Sequence, residues 1–106
     1  MYVRSYLQSG NLTFTLSGDI DHHEARRALK TISEKIDSSM PHNCVLDFQE
    51  VPFMDSSGIA IVIFCVRRMR ELGGTLALSN VQQQPMRVLD AAGIRQITEI
   101  RGGKTS

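Results

Sequence analysis

The order in which extended and helical segments follow one another most constrains how this chain can fold. Residues 2–7 and 12–16 are short stretches of extended character, and the turn residues 8–11 between them predict a hairpin. From residue 21 onwards, segments with helical spacing alternate with compact apolar segments. This alternation is typical of right-handed crossovers, so we expect an α/β fold with a mostly parallel mixed sheet, an antiparallel hairpin at its N-terminal edge, and helices packed on it.

The first helix is predicted to begin at Asp21. Its carboxylate can accept from the free backbone donors of the first turn, and Glu24 stands three positions later, which is a variant of the capping box. The apolar residues that follow at helical spacing predict one buried stripe. They are Ala25, Ala28, Leu29, Ile32 and Ile36.

Residues 59–72 could form a strand or a helix. Their β-branched side chains favour a strand. The segment nevertheless opens with serines, continues to Leu72 without a turn signal and ends at Gly73 and Gly74, and these features predict a helix. Its expected sheet-facing residues are Ile59, Val62, Val66 and Met69.

Three further apolar residues of this helix are expected to lie partly off the sheet-facing side. They are Ile61, Phe64 and Cys65. Either neighbouring helices bury them, or they form an exposed apolar patch for a partner. The spacing is compatible with both interpretations.

The remaining elements complete the alternation. Strands are predicted over residues 44–48, 75–79 and 94–100, and a short third helix over 86–92. Pro85 suits the first turn of that helix, whereas the glycine after Ala92 suits its end. The whole chain, residues 1–106, is expected to form one domain.

Composition excludes several classes of protein. Twelve Lys and Arg residues against eleven Asp and Glu give a net charge of +1, with no basic stripe for a nucleic acid. The longest apolar run, residues 59–66, is too short to cross a bilayer, and the N-terminus lacks a secretory signal, so we expect a cytoplasmic protein without membrane contact. Cys44 and Cys65 each lie in an apolar run and are expected to be buried, reduced thiols.

Two junctions between a strand and a helix carry the candidate functional residues. Residues 21–23 and 55–57 both follow a strand and open a helix, so crossover topology places them at the same edge of the sheet. In open α/β sheets, ligands and partners usually bind at that edge.

Ser56 and Ser57 allow two interpretations. One serine could serve only as the N-cap of the second helix. Alternatively, free amides and the helix dipole favour a phosphorylation or anion site there. A hydrolase is not indicated, because the nucleophile motif needs glycine two residues before the serine and this chain has Met54 or Asp55.

No metal or cofactor site is indicated. Adjacent His22 and His23 point in different directions and lack the spacing of four residues that a helical metal pair needs. No cysteine–histidine spacing suggests zinc, and no glycine-rich phosphate loop is present. The two histidines are therefore expected to be exposed residues of a first helical turn.

Three segments resemble the STAS-domain anti-sigma factor antagonists. Residues 51–59 resemble the family signature, in which Asp-Ser-Ser-Gly opens the second helix. Residues 18–23 resemble the segment after the second strand, and residues 84–94 contain two stretches that resemble the third-helix region. The segments follow the family order, which implies a single STAS-type domain with residues 101–106 as a frayed tail.

The resemblance implies a regulatory function without enzymatic activity or a cofactor. The unphosphorylated protein would bind a kinase-type anti-sigma factor and release the sigma factor. Phosphorylation of Ser56 would switch it off, and a serine phosphatase would reverse this. The implied partner-binding residues are Asp21, His22, His23, Asp55, Ser56, Ser57 and Gly58.

Within the family, the adjacent histidines after Asp21 make this sequence more similar to the members that act in sporulation than to those that act in the general stress response. Two alternatives stay open. The chain could be a STAS regulatory or scaffold module of another pathway, such as a general-stress complex. It could also be a module that binds a small molecule or a nucleotide at the sheet edge.

Overall fold

The chain opens with the predicted hairpin, in which β1 (Tyr2–Gln8) pairs antiparallel with β2 (Asn11–Ser17). The computed structural model describes residues 1–102. After the hairpin come α1 (His22–Ser39), β3 (Asn43–Glu50), α2 (Gly58–Glu71) and β4 (Thr75–Ser79). The chain continues through α3 (Gln83–Ala91) and a short 3-10 helix (Ile94–Gln96) to β5 (Glu99–Arg101).

The five strands form one sheet in the order β1-β2-β3-β4-β5, and every pair after the hairpin is parallel. The register aligns Leu12 with Cys44 and Cys44 with Leu76, so buried residues of neighbouring strands share one face. This mixed sheet confirms the α/β fold predicted from the order of segments.

The start and the buried face of α1 also agree with the sequence. The Asp21 carboxylate accepts a hydrogen bond from the Glu24 backbone N–H at 2.8 Å, as expected of an N-cap. Four of the five predicted apolar residues are buried, and Leu29 packs against the core from a partly exposed position. At the other end, Met40 adopts a left-handed conformation and donates its N–H to the Ile36 carbonyl at 2.8 Å.

The predicted orientation of α2 was wrong in part. Ile59, expected to face the sheet, is only partly buried. Ile61 and Cys65 are fully buried, which agrees with the interpretation of burial and not with that of an exposed apolar patch. The reason is that α2 packs against α1 as well as against the sheet, so its buried surface is wider than one stripe. Phe64 is partly buried against the same core.

The last strand is shorter than predicted. Residues 94–96 form the 3-10 helix, because Ile94 inserts into the core and the Gln96 N–H donates to the Gly93 carbonyl at 3.0 Å. Only residues 99–101 pair with β4. Arg101, expected in the frayed tail, therefore belongs to β5, and residues 103–106 lie outside the described part of the chain.

Both cysteines are buried, as the sequence indicated. Burial raises the pKa of the Cys44 thiol to about 12 and raises that of Cys65 as well. Both thiols are therefore protonated near neutral pH and poorly nucleophilic.

Over residues 1–102, no helix has the length and apolar character to span a membrane. No group of three potential metal-ligating side chains comes together within that range.

Candidate functional site

The loops that follow β2 and β3 are joined through their main chains. The Ile20 N–H donates to the Phe53 carbonyl at 3.0 Å, and the Asp55 N–H donates to the Ile20 carbonyl at 3.1 Å. These two bonds form an isolated parallel bridge between Ile20 and Met54. Asp21 and Asp55 each lie one residue beyond a bridged residue, so the two helix starts meet at one edge of the sheet.

A side chain of α3 holds the second loop from another direction. The Gln84 amide oxygen accepts from the Met54 N–H at 2.8 Å, and its nitrogen donates to the Met54 carbonyl at 3.0 Å. The Gln82 amide donates to the Gln49 carbonyl at 2.6 Å. The segment before Ser56 is thus fixed by β2 on one side and by α3 on the other. Sequence reasoning missed the role of Gln84, because no local pattern identifies the backbone groups that a glutamine side chain will reach.

The side chain that caps α2 is that of Asp55 and not that of a serine. The Asp55 carboxylate accepts from the Ser57 N–H at 2.8 Å, whereas the Ser57 side chain makes no capping hydrogen bond. Backbone bonds from Gly58 to Asp55 and from Ile59 to Ser56, both 3.1 Å, close the first tight turn. A serine, Ser57, therefore stands at the N-cap position as one interpretation expected, but the capping hydrogen bond is made by the Asp55 side chain.

Ser56 is exposed at this turn, and its hydroxyl makes no side-chain hydrogen bond within residues 1–102. The hydroxyl can therefore accept a group without breaking a contact of the fold. The amides of residues 57–59 already have acceptors in this turn, so the dipole of α2, and not the expected free amides, favours negative charge at Ser56.

Gly58 allows α2 to begin directly above Met54. Met54 is fully buried, and a Cβ added at Gly58 would lie 2.5 Å from the Met54 sulfur. Any side chain at residue 58 would force Met54 or the helix start to move. Gly58 is itself buried, so its part in the site is to set the shape of the turn.

The other predicted partner-binding residues lie around this turn. Asp21, His22 and His23 are exposed at the start of α1, whereas Asp55 and Ser57 are half-buried. The histidines are adjacent on a helix and so diverge by about 100°. The site therefore combines carboxylates, imidazoles and the exposed hydroxyl of Ser56 on a fixed backbone.

A groove beside Ser56 was not predicted. It measures about 420 Å³ and lies between the start of α2 and the second half of α3. Its lining residues are Ser56, Ile59, Arg87, Val88, Ala91 and Ala92. The sequence hint was Ile59, which had been expected to face the sheet and lines this groove instead.

Comparison with protein families and curated proteins gives consistent matches. The family model of the STAS domain matches residues 2–103. The anti-sigma F factor antagonist of Paenibacillus polymyxa is 31% identical over 91 residues, which cover 86% of this chain and 78% of that protein. The anti-sigma-B factor antagonist of Bacillus subtilis is 26% identical over 93 residues, which cover 85% and 81% of the two chains.

Solved structures agree on the fold. Unphosphorylated SpoIIAA, an anti-sigma factor antagonist, superposes with a TM-score of 0.82 at 22% identity, covering 95% of this chain and 89% of that one. The phosphorylated form of the Bacillus cell fate determinant SpoIIAA superposes with a TM-score of 0.73 at 22% identity. The match covers 95% of this chain and 92% of that one. At this identity the likeness confirms the expected fold.

The assignment of the cap can be tested by three single substitutions. We expect Asp55→Ala to lower the free energy of unfolding by ~1 kcal/mol, because the Ser57 N–H loses its acceptor. Ser56→Ala and Ser57→Ala should each change it by less than ~0.5 kcal/mol. Urea unfolding measures all three, and Asp55→Asn is the control, since asparagine also caps helices. A loss with Ser57→Ala as large as that with Asp55→Ala would contradict the assignment.

Proposed function

Because this chain belongs to the STAS domain family, we propose that it is an anti-sigma factor antagonist that phosphorylation of Ser56 switches off. Its unphosphorylated form binds a kinase-type anti-sigma factor and thereby releases the sigma factor. A serine phosphatase restores the active form. These partners meet in the cytoplasm, where sigma factors direct transcription.

The position of Ser56 is the observation that carries this proposal. Its hydroxyl is exposed, makes no capping bond and follows directly after the capping Asp55. Phosphoryl transfer forms a bond from the serine oxygen to the γ-phosphorus of ATP and breaks the bond to the bridging oxygen, so ADP leaves. The serine proton passes to a base of the kinase.

The switch acts at the interface and leaves the fold intact. A phosphoserine carries about −1.5 to −2 charges at pH 7. The dipole of α2 stabilises it by ~0.3–1 kcal/mol, and water and salt around the exposed phosphate screen its repulsion from Asp55 to a similarly small value. Neither effect is large against a typical stability of ~5–15 kcal/mol. However, if a partner buries the phosphate without supplying a new cation, desolvation lowers the binding free energy by several kcal/mol. This corresponds to a loss of affinity on the order of a thousandfold.

Both branches of the family are represented among the relatives. The paired histidines and the 31% identity to an anti-sigma F factor antagonist favour control of a sporulation sigma factor. The 26% identity to an anti-sigma-B factor antagonist supports a general-stress pathway as the second candidate. In either branch, the proposed contact surface is the edge formed by Asp21, His22, His23, Asp55, Ser56 and Ser57, and buried Gly58 sets the shape of the turn beneath it.

We expect phospho-Ser56 and Ser56→Asp to melt within a few degrees of the wild type but to bind the kinase partner at least a hundredfold more weakly. The reason is that negative charge must lose its water in the complex. Calorimetry gives both the melting temperature and the affinity. Ser56→Ala should bind like the wild type and resist inactivation. Ser9→Asp, in the exposed hairpin turn at the opposite end of the sheet, is the matched control for charge. If phosphorylation of Ser56 unfolds the protein, or leaves its affinity for the kinase partner unchanged, the mechanism is contradicted.

The charge of Asp21 can be separated from its capping function. Asp21→Asn keeps an N-cap oxygen but removes the charge, so the melting temperature should stay nearly unchanged. If Asp21 meets a basic residue of the partner, affinity should fall about tenfold, or ~1.4 kcal/mol. Asp21→Ala should lose the same affinity and ~1 kcal/mol of stability in addition. Equal affinity of Asp21→Asn and the wild type would exclude Asp21 from the interface.

A further inference from the structure

The groove next to Ser56 is apolar except at its rim. Ile59 and Val88 are half-buried in it, and the exposed methyl groups of Ala91 and Ala92 extend it to solvent. Residues 88, 91 and 92 are spaced as one face of α3, separate from the face that buries Leu89. The helix therefore carries apolar surface beyond the face that buries Leu89, with Val88 packed partly against the core and Ala91 and Ala92 exposed.

Among residues 1–102, Arg87 is the only charged residue that lines the groove. It is exposed and has no carboxylate within 4.0 Å among residues 1–102. Arg95 nearby is paired with Asp90 at 2.9 Å, and Arg68 with Asp37 at 2.9 Å. The Arg87 guanidinium thus has all its donors available, and its planar fork suits a carboxylate or a phosphate.

The position of the groove identifies what covers it. A kinase that phosphorylates Ser56 must bring its nucleotide to that hydroxyl, and Ser56 itself forms one wall of the groove. The surface of the kinase beside its nucleotide therefore lies over Ile59 and Arg87. An apolar groove with one cation fits a segment that carries an apolar side chain and a carboxylate.

We propose that this groove binds such a segment of the kinase-type partner, and that phospho-Ser56 takes Arg87 away from the partner's carboxylate. The inference rests on the proposed function and adds a second means by which the phosphate acts. In the unphosphorylated protein, Arg87 pairs with the carboxylate of the partner. After phosphorylation, three acceptor oxygens at the groove wall attract Arg87, and the carboxylate faces a phosphate instead of a cation.

The intramolecular half of the proposal can be measured without any kinase. Phosphoserine is installed at residue 56 during protein synthesis, and its second ionisation is followed by phosphorus NMR at low salt. A nearby guanidinium stabilises the dianion, so the wild-type pKa should lie about half a unit below that of Arg87→Gln. Arg67→Gln, which removes an exposed arginine about 12 Å further along α2 than Ile59, should leave the pKa unchanged. Equal pKa values for wild type and Arg87→Gln would overturn this half.

The intermolecular half is measured by binding to the purified kinase partner. Arg87→Glu and Ala91→Leu, which fills the groove from an exposed helix position, should each lower affinity at least tenfold. Arg67→Glu is the matched control, and melting temperatures establish that each variant is folded. If Ser56→Asp loses binding while both groove variants bind like the wild type, the proposed function stands and the groove inference is wrong. If the wild type neither binds nor becomes phosphorylated, both are wrong.

Discussion

The main-chain bridge between Ile20 and Met54 determines the geometry of the site. The Gly18 N–H already donates to the Glu50 carbonyl at 2.9 Å where the strands end, and the two hydrogen bonds of the bridge extend this connection to the residues next to Asp21 and Ser56. The bridge also sets Met54 under the start of α2, where Gly58 leaves room for it. Gln84 then satisfies the remaining N–H and C=O groups of Met54. Ser56 consequently lies on a backbone that is held from three sides.

On the proposed function, this fixed backbone would allow the domain to accept a phosphate on Ser56 without refolding. The Asp55 carboxylate, and not a serine hydroxyl, caps α2, so a modified Ser56 costs the helix no hydrogen bond. The new charge instead changes what the surface can contact. Ser56 lies between a polar region at the start of α1 and the apolar groove with Arg87, so one phosphate affects both.

Local patterns in the sequence predicted the hairpin, the Asp21 cap and the buried stripe of α1, because each depends on residues close together in the chain. Long-range packing determined the rest. The burial of Ile61 depends on the position of α1, and the 3-10 helix depends on the core space available to Ile94. The shared edge of the two loops followed from topology, whereas the Gln84 contacts and the groove arise from the docking of α3, which no local pattern reports.

Mass spectrometry can establish whether Ser56 is the residue that receives the phosphate. The protein is incubated with its cognate kinase and ATP, and the modified peptide is sequenced. We expect one phosphate per chain, on Ser56, and none in Ser56→Ala. A phosphate on Ser57, or no stoichiometric transfer to the wild type, would contradict this expectation.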